Sequence, residues 1–309
     1  MKRHDFTPEA YKGDIQLEGV SLNIKRINII GMGDVGLTMV LGLMLYGNDL
    51  FEEIGILELD ENARLRLEHE LGQIRSLHTV FPAIKLIRKE ELFRSDMVLF
   101  CASKPLPKPG DETGDVRLMQ LEDNWSILEG YLHHLADHHF DGIIGIVSDP
   151  VDLLATRITR RFPFEPRKIM GFGQGVMAAR AAFYGGEDVH LFGPHGNGLY
   201  VANHVKHFNL KESEDLTLKT TQENLVIRGF GYKPYIAPAL SSAAIALVDL
   251  LRGKWHYSSQ YVGNVHWGER YRFNGRKLEL GAIKNHSLRE QVTKTYEQLQ
   301  AINDQYHPL

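Results

Sequence analysis

One cysteine, Cys101, stands among 309 residues. A single thiol excludes an intrachain disulfide and a cysteine-rich zinc site, and the shortage fits a reducing compartment. Surplus positive charge is missing as well: 35 Lys and Arg face 39 Asp and Glu, for a formal net charge of −4. Proteins that hold nucleic acid through its phosphates are usually basic, so nucleic acid is not an expected partner. Long apolar runs are absent too. The longest, residues 35–46, is too short to cross a bilayer and contains Gly36 and Gly42. The opening MKRHDFTPEAYKGD is polar, and no apolar stretch follows its basic start. Neither a signal peptide nor a membrane span is expected, and the chain reads as cytoplasmic. Internal repeats and low-complexity tracts are also lacking.

What is present suits a folded enzyme-sized chain. Hydrophobic residues make up 43% and charged residues 24%, ample for a buried core. The length corresponds to two lobes or one large α/β unit. Residues 1–25 read as an N-terminal arm in which 15–22 (IQLEGVSL) alternates like a half-buried strand. From Lys25 onward strand and helix alternate. Strand runs fall at 26–30, 53–59, 84–87, 96–101 and 142–147, and helical runs at 37–46, 60–73 and 117–138. Such alternation implies parallel strands with crossover helices, and the continuous apolar strands imply a sheet covered on both faces. After about residue 162 the texture changes. Helical runs at 176–184, 213–228, 239–251 and 286–303 mix with strand runs at 189–192, 199–202, 257–263 and 271–280. The expected fold is α/β: a Rossmann doubly wound parallel sheet (residues 26–162) followed by a second, α+β substrate domain (163–309).

The first strand closes on Gly31-Met32-Gly33-Asp34-Val35-Gly36, a G-x-G-x-x-G that opens a helix. Glycines there allow a tight turn, close approach of a pyrophosphate and close packing of helix on strand. The helix N-terminus offers unpaired N–H groups to the anion. Glu58, 22 residues after Gly36 at the end of the next strand, has the spacing of an acid that binds the adenosine ribose. A 2′-phosphate would meet like charge at Glu58, so the expected cofactor is NAD rather than NADP.

From these residues and five further segments the chain resembles the lactate/malate dehydrogenase family, from about Lys25 to Ile283. DMVLFCAS followed by Lys108-Pro-Gly is similar to the family's fourth strand and mobile loop, and Arg117-Leu118 with Asn124 to the helix start after it. Ser148-Asp-Pro-Val-Asp-Leu-Leu resembles N-P-V-D-x-x, Gly171-Phe-Gly-Gln-Gly-Val-Met-Ala-Ala-Arg resembles G-x-G-x-x-L-D-x-x-R, and Gly193-Pro-His-Gly-Asn-Gly resembles G-E-H-G-D-S. The resemblance implies hydride transfer between NAD and a 2-hydroxy or 2-keto acid, a small carboxylate, in a homo-dimer or homo-tetramer. His195 would exchange the proton with the substrate oxygen. Arg180 would grip the carboxylate with its planar fork, and Arg117 would polarise the carbonyl. The cofactor would contact Gly31, Gly33, Asp34, Val35, Gly36 and Glu58, together with Ser103 after the fourth strand and Val147 at the end of the fifth. No metal is implied.

Three departures bear on chemistry. Met177 stands where the family has the aspartate that orients the histidine, and a thioether cannot do that work. Asp149 replaces the asparagine of N-P-V-D and brings a carboxylate toward nicotinamide and substrate, so Asp149 joins the catalytic candidates. Lys233-Pro234 falls at a small hydroxyl residue of the substrate pocket. The position that separates lactate from malate enzymes aligns near Pro107, with Lys104 and Lys108 as stand-ins. The alternative is therefore an NAD-binding regulatory homologue without activity. An NAD-dependent glycosidase, whose metal is held by cysteine and histidine, is disfavoured because Cys101 lies inside a strand. The cluster His133, His134, Asp137, His138, His139 reads as the solvated face of a crossover helix.

Overall fold

The structure is a computed structural model that describes residues 14–104, 116–231 and 238–306, with side chains described except at 116–119 and 228. In chain order the elements are β1 Ile15–Gln16, β2 Arg26–Ile30, α1 Asp34–Tyr46, β3 Glu53–Leu57, α2 Glu61–Gly72, β4 Ala83–Leu86, β5 Met97–Phe100, α3 Val116–Asp137, β6 Ile143–Ile146, α4 Val151–Arg161 and β7 Ile169–Gly171. They continue with α5 Gln174–Gly185, β8 His190–Phe192, β9 Tyr200–Ala202, α6 Leu210–Gly229, α7 Ser241–Leu251, β10 Trp255–Val262, β11 Val265–Phe273, β12 Lys277–Leu280 and α8 His286–Tyr306.

Among the described residues the main sheet runs β1-β12-β11-β10-β7-β6-β5-β2-β3-β4. Its parallel block, β4-β3-β2-β5-β6-β7, has the doubly wound order 3-2-1-4-5-6. Strand order reverses between β2 and β5, so the crevice at their carboxyl ends is where such a sheet receives a ligand. β5 and β6 are buried throughout, as strands covered on both faces must be. On one face α1 and α7 pack with Met39, Leu43, Ala244 and Leu247; on the other, α3 and α8 pack with Leu121, Leu128, Leu288 and Tyr296. Helix α1 is apolar nearly all round because α7 covers what the sheet does not. A Cβ at Gly42 would lie 2.5 Å from the Ala244 Cβ, so the two helices approach at a missing side chain.

The second half does not build a separate sheet from its long strands. β10 pairs antiparallel with β7 at Ser259 and Gly171, which joins β10–β12 to the parallel block. Three expectations change. The strand expected at 15–22 ends at Gln16, because the chain turns with Val20 N–H donating to the Leu17 carbonyl at 3.0 Å. The strand expected at 271–280 is two, β11 and β12, reversed at a turn where Lys277 N–H donates to Asn274 Oδ1 at 3.1 Å and Gly275 has φ +93°. Helix α4 and the short β7 were not expected. The parallel block reaches β7, beyond residue 162.

Candidate active site

The glycine turn has the form its spacing suggested. Gly31 holds φ +88°, which disfavours other residues, and a Cβ there would lie 2.5 Å from the Ala102 Cα. At Gly36 a Cβ would sit 1.9 Å from the Gly31 carbonyl oxygen. These two glycines serve the fold. Gly33 is different: a Cβ there meets nothing within 4 Å, and the residue is exposed. Its bareness leaves space at the N-terminus of α1, where Asp34 and Val35 begin the helix. That open helix N-terminus, with its backbone N–H donors, fits a pyrophosphate. Glu58 lies just past β3, half-buried, with Oε1 accepting from Leu59 N–H (2.8 Å) and Asp60 N–H (3.2 Å). Two backbone donors thus fix the acid at the edge of the crevice. The nearby Arg64 is engaged by Glu61 at 2.6 Å.

The loops after β5 and β6 are tied together. Asn124, fully buried in α3, accepts from Lys104 N–H at 2.9 Å and donates to the Asp149 carbonyl at 2.6 Å. Ser148 Oγ donates to the Ala102 carbonyl at 2.6 Å. These bonds set the ground on which Ser103, exposed, and Val147, buried, stand. Spacing in the sequence marks Asn124 but does not show this clamp.

His195 sits in the connection between β8 and β9. Its backbone N–H donates to Asp152 Oδ2 at 2.5 Å, and Ser259 Oγ donates to Asp152 Oδ1. Its ring Nε2 lies 3.4 Å from Asp149 Oδ1. The ring rests against Gly173, where a Cβ would be 2.7 Å from His195 Nδ1. Gln174 Nε2 donates to the Gly193 carbonyl at 2.5 Å and holds the start of the connection. Asp149 follows β6 and Gly173 follows β7, so the imidazole stands at the carboxyl edge of the sheet, the edge that also carries the glycine turn. Burial pushes the Asp152 carboxyl up to about 6, against the downward pull of its bonds to Ser259 and His195 N–H; the charge of Asp149 adds to the rise. Asp152 lies within a recognisable motif, but its role does not follow from the sequence, because nothing local shows that its carboxylate turns inward.

Arg180 lies on α5, its Nη1 3.7 Å from the Met177 sulfur. Met177 is 1% exposed among Ala181, Val189, Leu191, Leu199, Val201 and Leu216, so position 177 belongs to an apolar cluster. Arg117 begins α3, but its side chain lies outside the described residues, as do Pro107, Lys108, Lys233 and Pro234. Lys104 pairs with Asp123 at 2.9 Å. Among the described residues no group of three or more His, Cys, Asp or Glu is arranged to hold a metal; His138 instead stacks on Phe93, and His134 lies tilted against both rings. No helix among the described residues is long and apolar enough to cross a membrane.

A family model described as the lactate/malate dehydrogenase NAD-binding domain matches residues 25–171. The L-lactate dehydrogenase of Staphylococcus haemolyticus is 30% identical over 159 residues, 52% of this chain and 48% of that one. The L-lactate dehydrogenase of Corynebacterium glutamicum is 28% identical over 187 residues, 56% of this chain and 55% of that one. The matched stretch thus spans about half the length of these curated relatives. Among solved structures, minor L-lactate dehydrogenase from Enterococcus mundtii, in a ligand-bound form, superposes with a TM-score of 0.73 over 92% of this chain and 99% of that one, at 17% identity. A lactate dehydrogenase from a Medee basin deep-sea metagenome library gives 0.72 over 91% and 98%, also at 17%. At that identity the likeness speaks to the fold.

Proposed function

We infer that this chain, which belongs to the lactate/malate dehydrogenase family through its NAD-binding half, is an oxidoreductase that interconverts a 2-hydroxy acid and its 2-keto acid. The observation behind this reading is the His195–Asp149 pair, 3.4 Å apart at the sheet edge that also bears the glycine turn. NAD, when bound, supplies or accepts the hydride. Gly31, Gly33, Asp34, Val35 and Gly36 would cradle its pyrophosphate and Glu58 its ribose, with Ser103 and Val147 lining the nicotinamide side.

In reduction, His195 gives a proton from Nε2 to the carbonyl oxygen; in oxidation it takes that proton back. Asp149, 3.4 Å from Nε2, is the carboxylate that meets the imidazolium formed in that exchange. Arg180 is the proposed grip on the substrate carboxylate, and Arg117 the group that polarises the carbonyl. The Asp149 carboxylate repels further negative charge beside the reacting carbon, so a monocarboxylic keto acid suits this site better than a dicarboxylic one.

The test is NADH oxidation followed by absorbance with a panel of pyruvate, branched 2-keto acids and oxaloacetate. Turnover with a monocarboxylic member, lost by about 10²–10⁴-fold in His195→Asn, is the expected result. One observation favours the second reading, a dinucleotide-binding regulator: Met177 is packed in an apolar cluster and offers the histidine no carboxylate. Tight NADH binding with no oxidation across the panel would decide for it.

A further inference from the structure

We propose that Asp152 is a positioning residue for His195: anchored by Ser259, it holds the histidine backbone and supplies, from α4, a carboxylate beside the histidine that position 177 lacks. The inference rests on the dehydrogenase reading above.

Three segments meet at this carboxylate. Helix α4 carries Asp152 in its first turn, β10 brings the Ser259 hydroxyl to Oδ1, and the β8–β9 connection brings His195 N–H to Oδ2 at 2.5 Å. Ser259 is seated by its pairing with Gly171, whose missing side chain makes room: a Cβ there would be 2.8 Å from the Ser259 Cβ. Both carboxylate oxygens accept from donors, the pattern of an ionised acid. Asp152 is 2% exposed and Ser259 fully buried. A buried carboxylate is costly unless donors meet it, and an amide N–H and a hydroxyl could be served by a neutral side chain. A charge has a use here because the neighbouring imidazole passes through a cationic state. Further electrostatic neighbours of Asp152 are Asp149, after β6, and the Tyr271 hydroxyl, on β11. At position 177 the side chain is a thioether that meets Arg180. The acids that meet His195 are therefore the two that begin and precede α4: Asp149 at the ring, Asp152 at the backbone.

The experiment compares the full chain with Asp152→Asn by NMR titration of the His195 imidazole, NADH fluorescence titration and steady-state kinetics with a keto acid. Expected are an NADH Kd within about twofold of the parent, a fall of about one unit in the His195 pKa, and a kcat lower by about tenfold with KM little changed. A folded Asp152→Asn whose His195 titrates as in the parent overturns the proposal. Ser259→Ala, which keeps the acid and removes one donor, covers the case in which Asp152→Asn does not fold. It should lower the His195 pKa by about half a unit, and Ser259→Thr should restore it. Unchanged titration and kcat in Ser259→Ala also overturn the proposal. Absence of NADH binding in the parent would instead defeat the dehydrogenase reading itself.

Discussion

Replacing Gly33 by alanine should separate folding from dinucleotide binding. The backbone at Gly33, φ −71° and ψ −163°, is extended and open to alanine, and the added methyl meets no atom within 4 Å. Folding should be unharmed, and the loss of glycine's freedom in the unfolded chain adds between zero and about 1 kcal/mol of stability. Binding is another matter. A pyrophosphate held by N–H groups needs donor–acceptor distances of about 2.7–3.2 Å, and a methyl between the two pushes it outward by about an ångström. Losing one or two charge-assisted hydrogen bonds costs about 2–5 kcal/mol, which raises the NADH Kd by about 30-fold to several thousand-fold. The assay is an NADH fluorescence titration together with denaturation with and without NADH. At a concentration 100 times its Kd, NADH stabilises the parent by about 2.7 kcal/mol; Gly33→Ala at the same concentration should gain less than about 1 kcal/mol. Gly31→Ala and Gly36→Ala, which drive a methyl into backbone at 2.5 and 1.9 Å, should lose folding stability as well. Gly33→Ala binding NADH like the parent would refute the reasoning, because the space above Gly33 would then not be the ligand's.

Gly173→Ala puts a methyl 2.7 Å from His195 Nδ1 and 2.9 Å from Val151 Cγ2; it should cost about 1–3 kcal/mol in denaturant unfolding and lower kcat/KM by about 10²-fold through ring displacement, and an unchanged kcat/KM would contradict that. The raised pKa of Asp152, about 6 against an ordinary 3.8, means the folded state holds the proton more tightly than the unfolded chain. Its contribution to stability is present below pH 3.8 and lost as pH rises through about 6, so urea unfolding at pH 4.5 and 7.5 should show Asp152→Asn improving relative to the parent by about 2 kcal/mol; a pH-independent difference would argue against an ionised acid there. Met177→Asp buries a carboxylate in an apolar cluster beside Arg180 and should lower the melting temperature, by a cost of about 3–5 kcal/mol if left unpaired; a gain in turnover would show that this carboxylate reaches His195 instead.

The parallel half was legible because its signals are local. Apolar runs such as RINII and DMVLFC, punctuated by glycine or by a cap such as Asp60, whose carboxylate accepts from Ala63 N–H at 2.7 Å, declare strands and helix starts without reference to distant residues. Helix α4 was not legible for the opposite reason. Asp152, Thr156 and Arg157 are polar residues at 2% exposure or less, and what permits their burial lies far away in sequence: Ser259 and His195 for Asp152, His266 for Thr156, Glu122 and Trp125 for Arg157. Strand β10 falls where a strand run was expected, at 257–263, but the burial of its His256, Ser258, Ser259 and Gln260 is set by partners the run itself does not show. At the site, His195, Asp149 and the glycine turn were found from motifs. The meeting of Asp152 with His195 N–H, 43 positions apart, depends on how α4 and β10 cross, which no spacing rule encodes.

Cys101 offers a practical opening. It is 3% exposed directly under the glycine turn, its Cβ 3.5 Å from where a Gly36 Cβ would stand, and burial pushes its thiol well above the usual range. Such a thiol is a poor nucleophile toward maleimides. The natural chain is thus already a near-silent background for chemical labelling: two engineered surface cysteines, one on α2 and one on α6, would accept a dye pair without first removing the native residue, and the distance between the two halves could be followed as NADH is added.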